Sequence, residues 1–181
     1  ESGALVVAHG RPVSPVIAWH DSRDADAVTR LGDALGVEVF SARTGLPLRS
    51  QWSLTKHRWQ LDTDPSAVRA VRRLNIAEWI VRSLGGAEAS DASLASRTGW
   101  LDLASRTWWT DALGWSGASA GLLPPLVTSG TALGQASAAV GLPRLAGAAL
   151  TTAGHDHQAA TVGAHAADDP TQMRVPRAGP V

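Results

Sequence analysis

Cysteine and tyrosine are both missing from this chain, and phenylalanine and methionine occur once each. Without thiols there is no disulfide framework, no thiolate zinc site and no iron–sulfur cluster. An excess of either charge is also missing. Sixteen Lys and Arg residues balance sixteen Asp and Glu, so neither nucleic acid nor an anionic membrane surface is an expected partner. No apolar run approaches the roughly eighteen residues that a membrane span requires, and Glu1-Ser2-Gly3 has none of the basic-then-apolar character of a secretory leader. These absences make a cytoplasmic location the expectation.

What is present suits one globular core: 181 residues, 44% apolar and 18% charged. Eight tryptophans carry most of the aromatic mass, and their default role is packing. Residues 1–167 read as one partial domain. Residues 168–181 carry Pro and Arg without periodicity and read as an irregular tail or boundary segment. Both ends read as the edges of a fragment.

Apolar runs at 4–7 and 13–19, separated by His9-Gly10-Arg11-Pro12, predict a hairpin. Ala25, Val28, Leu31 and Leu35 follow helical spacing, with capping chemistry at Asp21 to Asp24 before them and Gly36 after. Residues 44–48 read as a turn. Ser53 then caps a helix carrying Leu54, Trp59 and Leu61, which stops before Pro65. Asn75 starts another helix with Ile76, Trp79, Ile80 and Leu84 on its apolar stripe and Gly85-Gly86 at its end. Residues 89–99 are polar enough to read as an ordered loop outside the core, ahead of a short strand at 100–103. A turn or two of helix at 108–113, a Pro-stiffened extended stretch at 122–127, a strand at 131–135 and a short helix to Val140 follow. No fixed-period repeat is present, and the mixture predicts an α/β fold with helices covering a sheet.

The best clue to chemistry is Asp156. An apolar run at 145–153 predicts a strand, Gly154 permits a tight turn, and 158–166 favours a helix, so this carboxylate stands at a strand-to-helix junction among Gly154, His155, His157 and Gln158. It could cap the helix or act as a general base. A metal site built with His155 and His157 is not expected, because in a strand the carboxylate between two same-face residues points away and a closed zinc site takes four ligands. Lys56, the only lysine, is expected at the surface or beside a carboxylate, and Arg97 is expected to tie its loop to backbone carbonyls.

Several segments taken in order resemble the FGGY carbohydrate kinases, the group that includes xylulokinase and glycerol kinase. Residues 16–23 look like the family's strand and W-x-D-x-R turn. Thr44-Gly45-Leu46 with Trp52-Ser53-Leu54-Thr55-Lys56 looks like its T-G-L segment and aromatic-S-x-x-K helix start. Residues 93–99 are similar to its N-A-S-R-T stretch, residues 123–134 to its L-P-x-(V/L) and S-G-x-x-x-G connection, and residues 154–160 to its G-x-D-x-x-A signature. The resemblance spans residues 1–166 and implies an incomplete first domain of actin-like, ribonuclease-H-like fold, a mixed sheet flanked by helices. It implies that Asp156 takes the proton of a sugar or polyol hydroxyl attacking the γ-phosphate of ATP. Glu1, Trp19, Gln51 and His157 fall at its substrate-binding positions, although Gln51 stands where glycerol kinases carry Tyr, which favours a ketopentose such as xylulose. ATP and Mg²⁺ are implied, with the D-x-G-T-(S/T) phosphate motif upstream of Glu1 and a second domain after Val181. A small-molecule sugar or polyol is the implied partner, and a homodimer fits the resemblance. A sugar-binding or regulatory module without phosphotransfer is the competing reading, and a hydrolase using His155, Asp156 and His157 a weaker third.

Overall fold

A computed structural model describes the strand at residues 3–6 and the chain from 10 to 163. Strand β1 (Gly3–Val6) does not pair with 13–19. It lies antiparallel to β2 (Arg72–Asn75), with Gly3 opposite Asn75 and Val6 opposite Arg72. The expected hairpin is therefore wrong, for a covalent reason: Pro12 and Pro15 remove backbone donors from the second run, which crosses the molecule as irregular extended chain. Its apolar content is still used, because Val16 packs on Leu74 and Ile17 is buried.

Helix α1 (Ala25–Leu35) buries Ala27 and Leu31 and ends at Gly36. A second helix, α2 (Val37–Thr44), follows at once in a stretch to which the sequence pattern assigns no element. Its β-branched residues disguise it, and Phe40 and Thr44 hold it to the core. Gly45, at φ 69°, closes it in the left-handed region. Helix α3 (Ser53–Thr63) begins one residue early, with Ser53 its first residue and Trp52 at the cap position, whereas helix α4 (Ile76–Ser83) begins where expected. Asn75 and Glu78 form a capping box at α4, with the Asn75 N–H donating to Glu78 Oε2 at 2.6 Å. The expected apolar stripe of α4 is only partly right. Ile76 and Ile80 are exposed, whereas Glu78 and Val81 are buried, because the helix turns its capping side and Val81 inward.

Residues 89–99 are a correction too. Ser90–Asp91 form β3, Ala92–Ala95 form α5, and Ser90, Asp91 and Ala95 have no exposed surface. Polarity did not keep them outside, because the core supplies partners: the Ser90 N–H donates to the Pro125 carbonyl, and Asp91 accepts the Ser93 and Leu94 N–H groups. Strand β4 (Leu101–Asp102) pairs antiparallel with β5 (Thr107–Trp108), and α6 (Thr110–Ser116) follows. Strand β6 (Leu126–Val127) runs parallel to β3, and β7 (Ala132–Gln135) runs antiparallel to β8 (Ala149–Thr151). Helix α7 (Asp156–Gly163) completes the described chain. No helix among the described residues is long and apolar enough to cross a membrane.

Besides the small cluster at Leu74, two larger apolar clusters result among the described residues. The larger gathers α1, α2, α3 and α6 around Leu31, Phe40, Trp52, Leu54, Trp100 and Trp109. Truncating one of its tryptophans to Ala would cost about 3–5 kcal/mol. The smaller joins Val81 and Ala89 to Leu133 and Leu150 of the β7–β8 pair and to Ala136 just after β7. Trp52 from the first and the chain leaving β8 from the second meet at one cleft.

Candidate active site

The cleft holds about 390 Å³ and is lined by Trp19, Gln51, Trp52, Arg97, His155, Asp156 and His157. Four residues expected at the site therefore come together: Asp156, Trp19, Gln51 and His157. Glu1, the fifth, lies outside the described residues, as does the segment 168–181.

The loop bearing Asp156 is held by the buried 91–93 segment. Asp91 caps α5 with Oδ1 and with Oδ2 accepts the Gly154 N–H at 3.1 Å, while Ser93 Oγ accepts the His155 N–H at 2.9 Å. Gly154 sits at φ 95°, a backbone state that a side chain there would strain. The turn thus delivers Asp156 to the first residue of α7 with its side chain 79% exposed. The helix-cap reading is not realised in its usual form: Asp156 Oδ1 accepts the adjacent His157 N–H at 2.8 Å, and Oδ2 accepts nothing among the described residues.

The premise against a three-residue cluster fails here. Asp156 and His157 begin a helix, with His155 directly before it, instead of continuing a strand, and the three side chains converge. His155 Nδ1 lies 2.5 Å from Asp156 Oδ1, His157 Nδ1 lies 3.9 Å from the same oxygen, and the imidazole centroids are 5.2 Å apart. His155 is buried, so one imidazole backs the carboxylate from inside and the other flanks it in solvent.

The opposite wall is assembled by Lys56. Its side chain is fully buried and its Nζ donates to the Asp21 carbonyl at 2.5 Å, the Ser50 carbonyl at 2.5 Å and Asp24 Oδ1 at 3.2 Å. One ammonium thus ties the turn after Trp19 to the segment before Gln51, and of the two expectations for Lys56 it is the carboxylate partner that holds. Asp24, read as helix-capping chemistry, makes no cap bond and serves this cation instead. On the same turn, the Arg23 side chain and then its backbone N–H bond Asp21 and hold its carboxyl down to about 2. Trp52 is fixed by its indole N–H donating to the Pro47 carbonyl at 2.7 Å.

Arg97 departs from expectation. Its guanidinium makes no hydrogen bond among the described residues and stacks over the Trp52 ring, 5.0 Å from the centroid, as part of the cleft lining. Arg97, Trp52 and His155 are the cleft residues that sequence reasoning left out. The signal was available for Arg97, the one permanent cation in its polar stretch, whereas the inward turn of Trp52 was not legible among eight tryptophans. The cleft can therefore receive a polyhydroxylated molecule, with indole faces for C–H surface and amide, imidazole, guanidinium and carboxylate groups for hydroxyls.

The fold around this cleft is an incomplete α/β domain of the actin-like, ribonuclease-H-like kind, superposing on a gluconate kinase from Lactobacillus acidophilus at TM-score 0.83 and 19% identity over 91% of this chain and 34% of that one. A xylulose kinase from Rhodospirillum rubrum superposes at 0.82 with 27% identity, over 91% of this chain and 34% of that one. Residues 1–163 match the N-terminal domain of the FGGY family of carbohydrate kinases, and the chain belongs to that family. It is 32% identical to a xylulose kinase of Streptomyces rubiginosus over 157 residues, 86% of this chain and 33% of that protein. It is 34% identical to a glycerol kinase of Nocardia farcinica over 161 residues, 86% of this chain and 32% of that protein. The chain thus spans about a third of the length of these relatives.

Proposed function

We propose that this chain supplies the sugar site and the catalytic base of an ATP-dependent carbohydrate kinase, with a ketopentose such as xylulose as acceptor. The observation that carries the reading is the outward carboxylate of Asp156, at the head of α7 in a cleft it shares with Trp19 and Gln51. A base must lie within hydrogen-bond reach of the hydroxyl it deprotonates, and an exposed Oδ2 without a bond among the described residues meets that requirement. The acceptor hydroxyl gives its proton to Asp156 as its oxygen bonds the γ-phosphorus and the bond to the ADP oxygen breaks. Trp19, Gln51, Arg97 and His157 orient the sugar so that this oxygen lies in line. Gln51 in place of an aromatic ring offers an amide to an added hydroxyl, which favours a ketopentose over glycerol.

Mg²⁺ accompanies the nucleotide in phosphoryl transfer. Asp156 is the only carboxylate among the described cleft residues and its neighbours are imidazoles, a set too poor in oxygen ligands to fit that ion.

Asp156→Asn in the full-length kinase is the test. Phosphorylation should fall by about a hundredfold or more while sugar affinity is largely kept, since the amide has the same shape and cannot take the proton. Undiminished turnover would remove Asp156 from the role. A coupled assay over ketoses, aldoses and polyols reads the acceptor class. Saturable sugar binding with no turnover on any of them would favour the non-catalytic module.

A further inference from the structure

The side chains at the head of α7 also form a donor set for a metal ion. One ligand atom from each of His155, Asp156 and His157 lies within 4.8 Å of the others. An ion bound at about 2.0–2.2 Å holds neighbouring ligand atoms roughly 3.3 Å apart, so the separations of 2.5 and 3.9 Å found here bracket that value. His155 is buried and anchored through its N–H to Ser93 Oγ, which makes it a fixed donor. The side chains of Asp156 and His157 are 79% and 80% exposed and have room to rotate onto an ion. The remaining coordination positions open onto the cleft, whose volume of about 390 Å³ accommodates water ligands.

Two imidazoles and one carboxylate suit borderline divalent transition ions such as Zn²⁺ and Co²⁺ over Mg²⁺ or Ca²⁺. We propose that His155, Asp156 and His157 bind one such ion per chain, with its open positions facing the cleft. The ion would occupy the carboxylate that the proposed function assigns to proton transfer, and so would inhibit in competition with the sugar. The binding itself does not depend on that assignment.

Zn²⁺ titrated into the untagged chain against a chromogenic chelator, together with the visible absorption of the Co²⁺ form, tests the proposal without any activity measurement. One ion should bind per chain in the micromolar range. His157→Ala, at an exposed position, should leave the circular dichroism spectrum unchanged and weaken ion binding by more than about tenfold, and Asp156→Asn should weaken it likewise. His20→Ala, which removes an imidazole outside the cluster, should change nothing. Absence of binding, or binding that survives His157→Ala and Asp156→Asn undiminished, would overturn the proposal, whatever the kinase assay shows.

Discussion

Mild acid should destabilise this chain well before its carboxylates protonate, and His57 is the reason. The imidazole is 1% exposed on α3, packs at 5.7 Å against the Trp100 ring, and finds no hydrogen-bond partner among the described residues for either nitrogen. Burial, then the charges of Arg73 and Arg58, push it down from 6.5 to about 3. Between those values the unfolded chain holds one more proton than the folded one, so stability is complete above about pH 6.5 and falls as the pH drops. Each unit in that window is worth about 1.4 kcal/mol, and acidification from about pH 7 to about pH 4.5 should therefore remove about 3 kcal/mol. Asp21, Asp62, Asp64 and Asp102 are all held below the usual carboxylate range by their partners and stay ionised over this interval. Urea unfolding followed by tryptophan fluorescence at a series of pH values measures the slope. His57→Leu, close in volume and free of orphaned nitrogens, should flatten it by one proton. An identical slope in His57→Leu, or a wild-type chain indifferent to pH over the interval, would refute the reasoning.

Lys56→Met should lower stability by about 3–5 kcal/mol, because Asp24 is left as an unpaired buried carboxylate; urea unfolding reads this, and partial recovery in Lys56→Met with Asp24→Leu identifies the stranded charge as the cause. The single change should also raise the KM for sugar in the full-length kinase, since the Trp19 and Gln51 walls lose their common tie; an unchanged KM would count against that role. Asp91→Ala should cost about 2–3 kcal/mol, from the lost α5 cap and the released Gly154 N–H. It should lower kcat beyond what residual unfolding explains, and a stability loss with kcat intact would show that the 91–154 link does not position Asp156.

Elements whose cause is local were legible along the chain. Helix α1 ends where Gly36 stands, α4 starts at the Asn75–Glu78 capping box, and β7 and β8 follow their apolar runs, because caps and periodicity act over a few residues. Asp156, Trp19, Gln51 and His157 were legible as a group through motifs whose order along the chain carries the signal, and the four line one cleft. Partner choice over long separations was not. Strand β1 pairs with a segment some seventy residues away instead of the nearest apolar run, a choice settled by which strand offers unbroken backbone donors. Likewise the polar stretch at 90–99 gives no hint that Asp91 is buried beneath the loop that carries Asp156, since the groups that satisfy it come from Ser93, Leu94 and the distant Gly154.

Sequence alone thus determined the kind of domain and singled out one carboxylate at a strand-to-helix junction, because both rest on residue type and spacing. Tertiary structure alone decided that Lys56 braces two walls, that Arg97 stacks on Trp52 within the cleft, and that His155 and His157 close upon Asp156. Those facts depend on which way side chains turn once the chain is folded, and direction in space is the quantity that linear order does not carry.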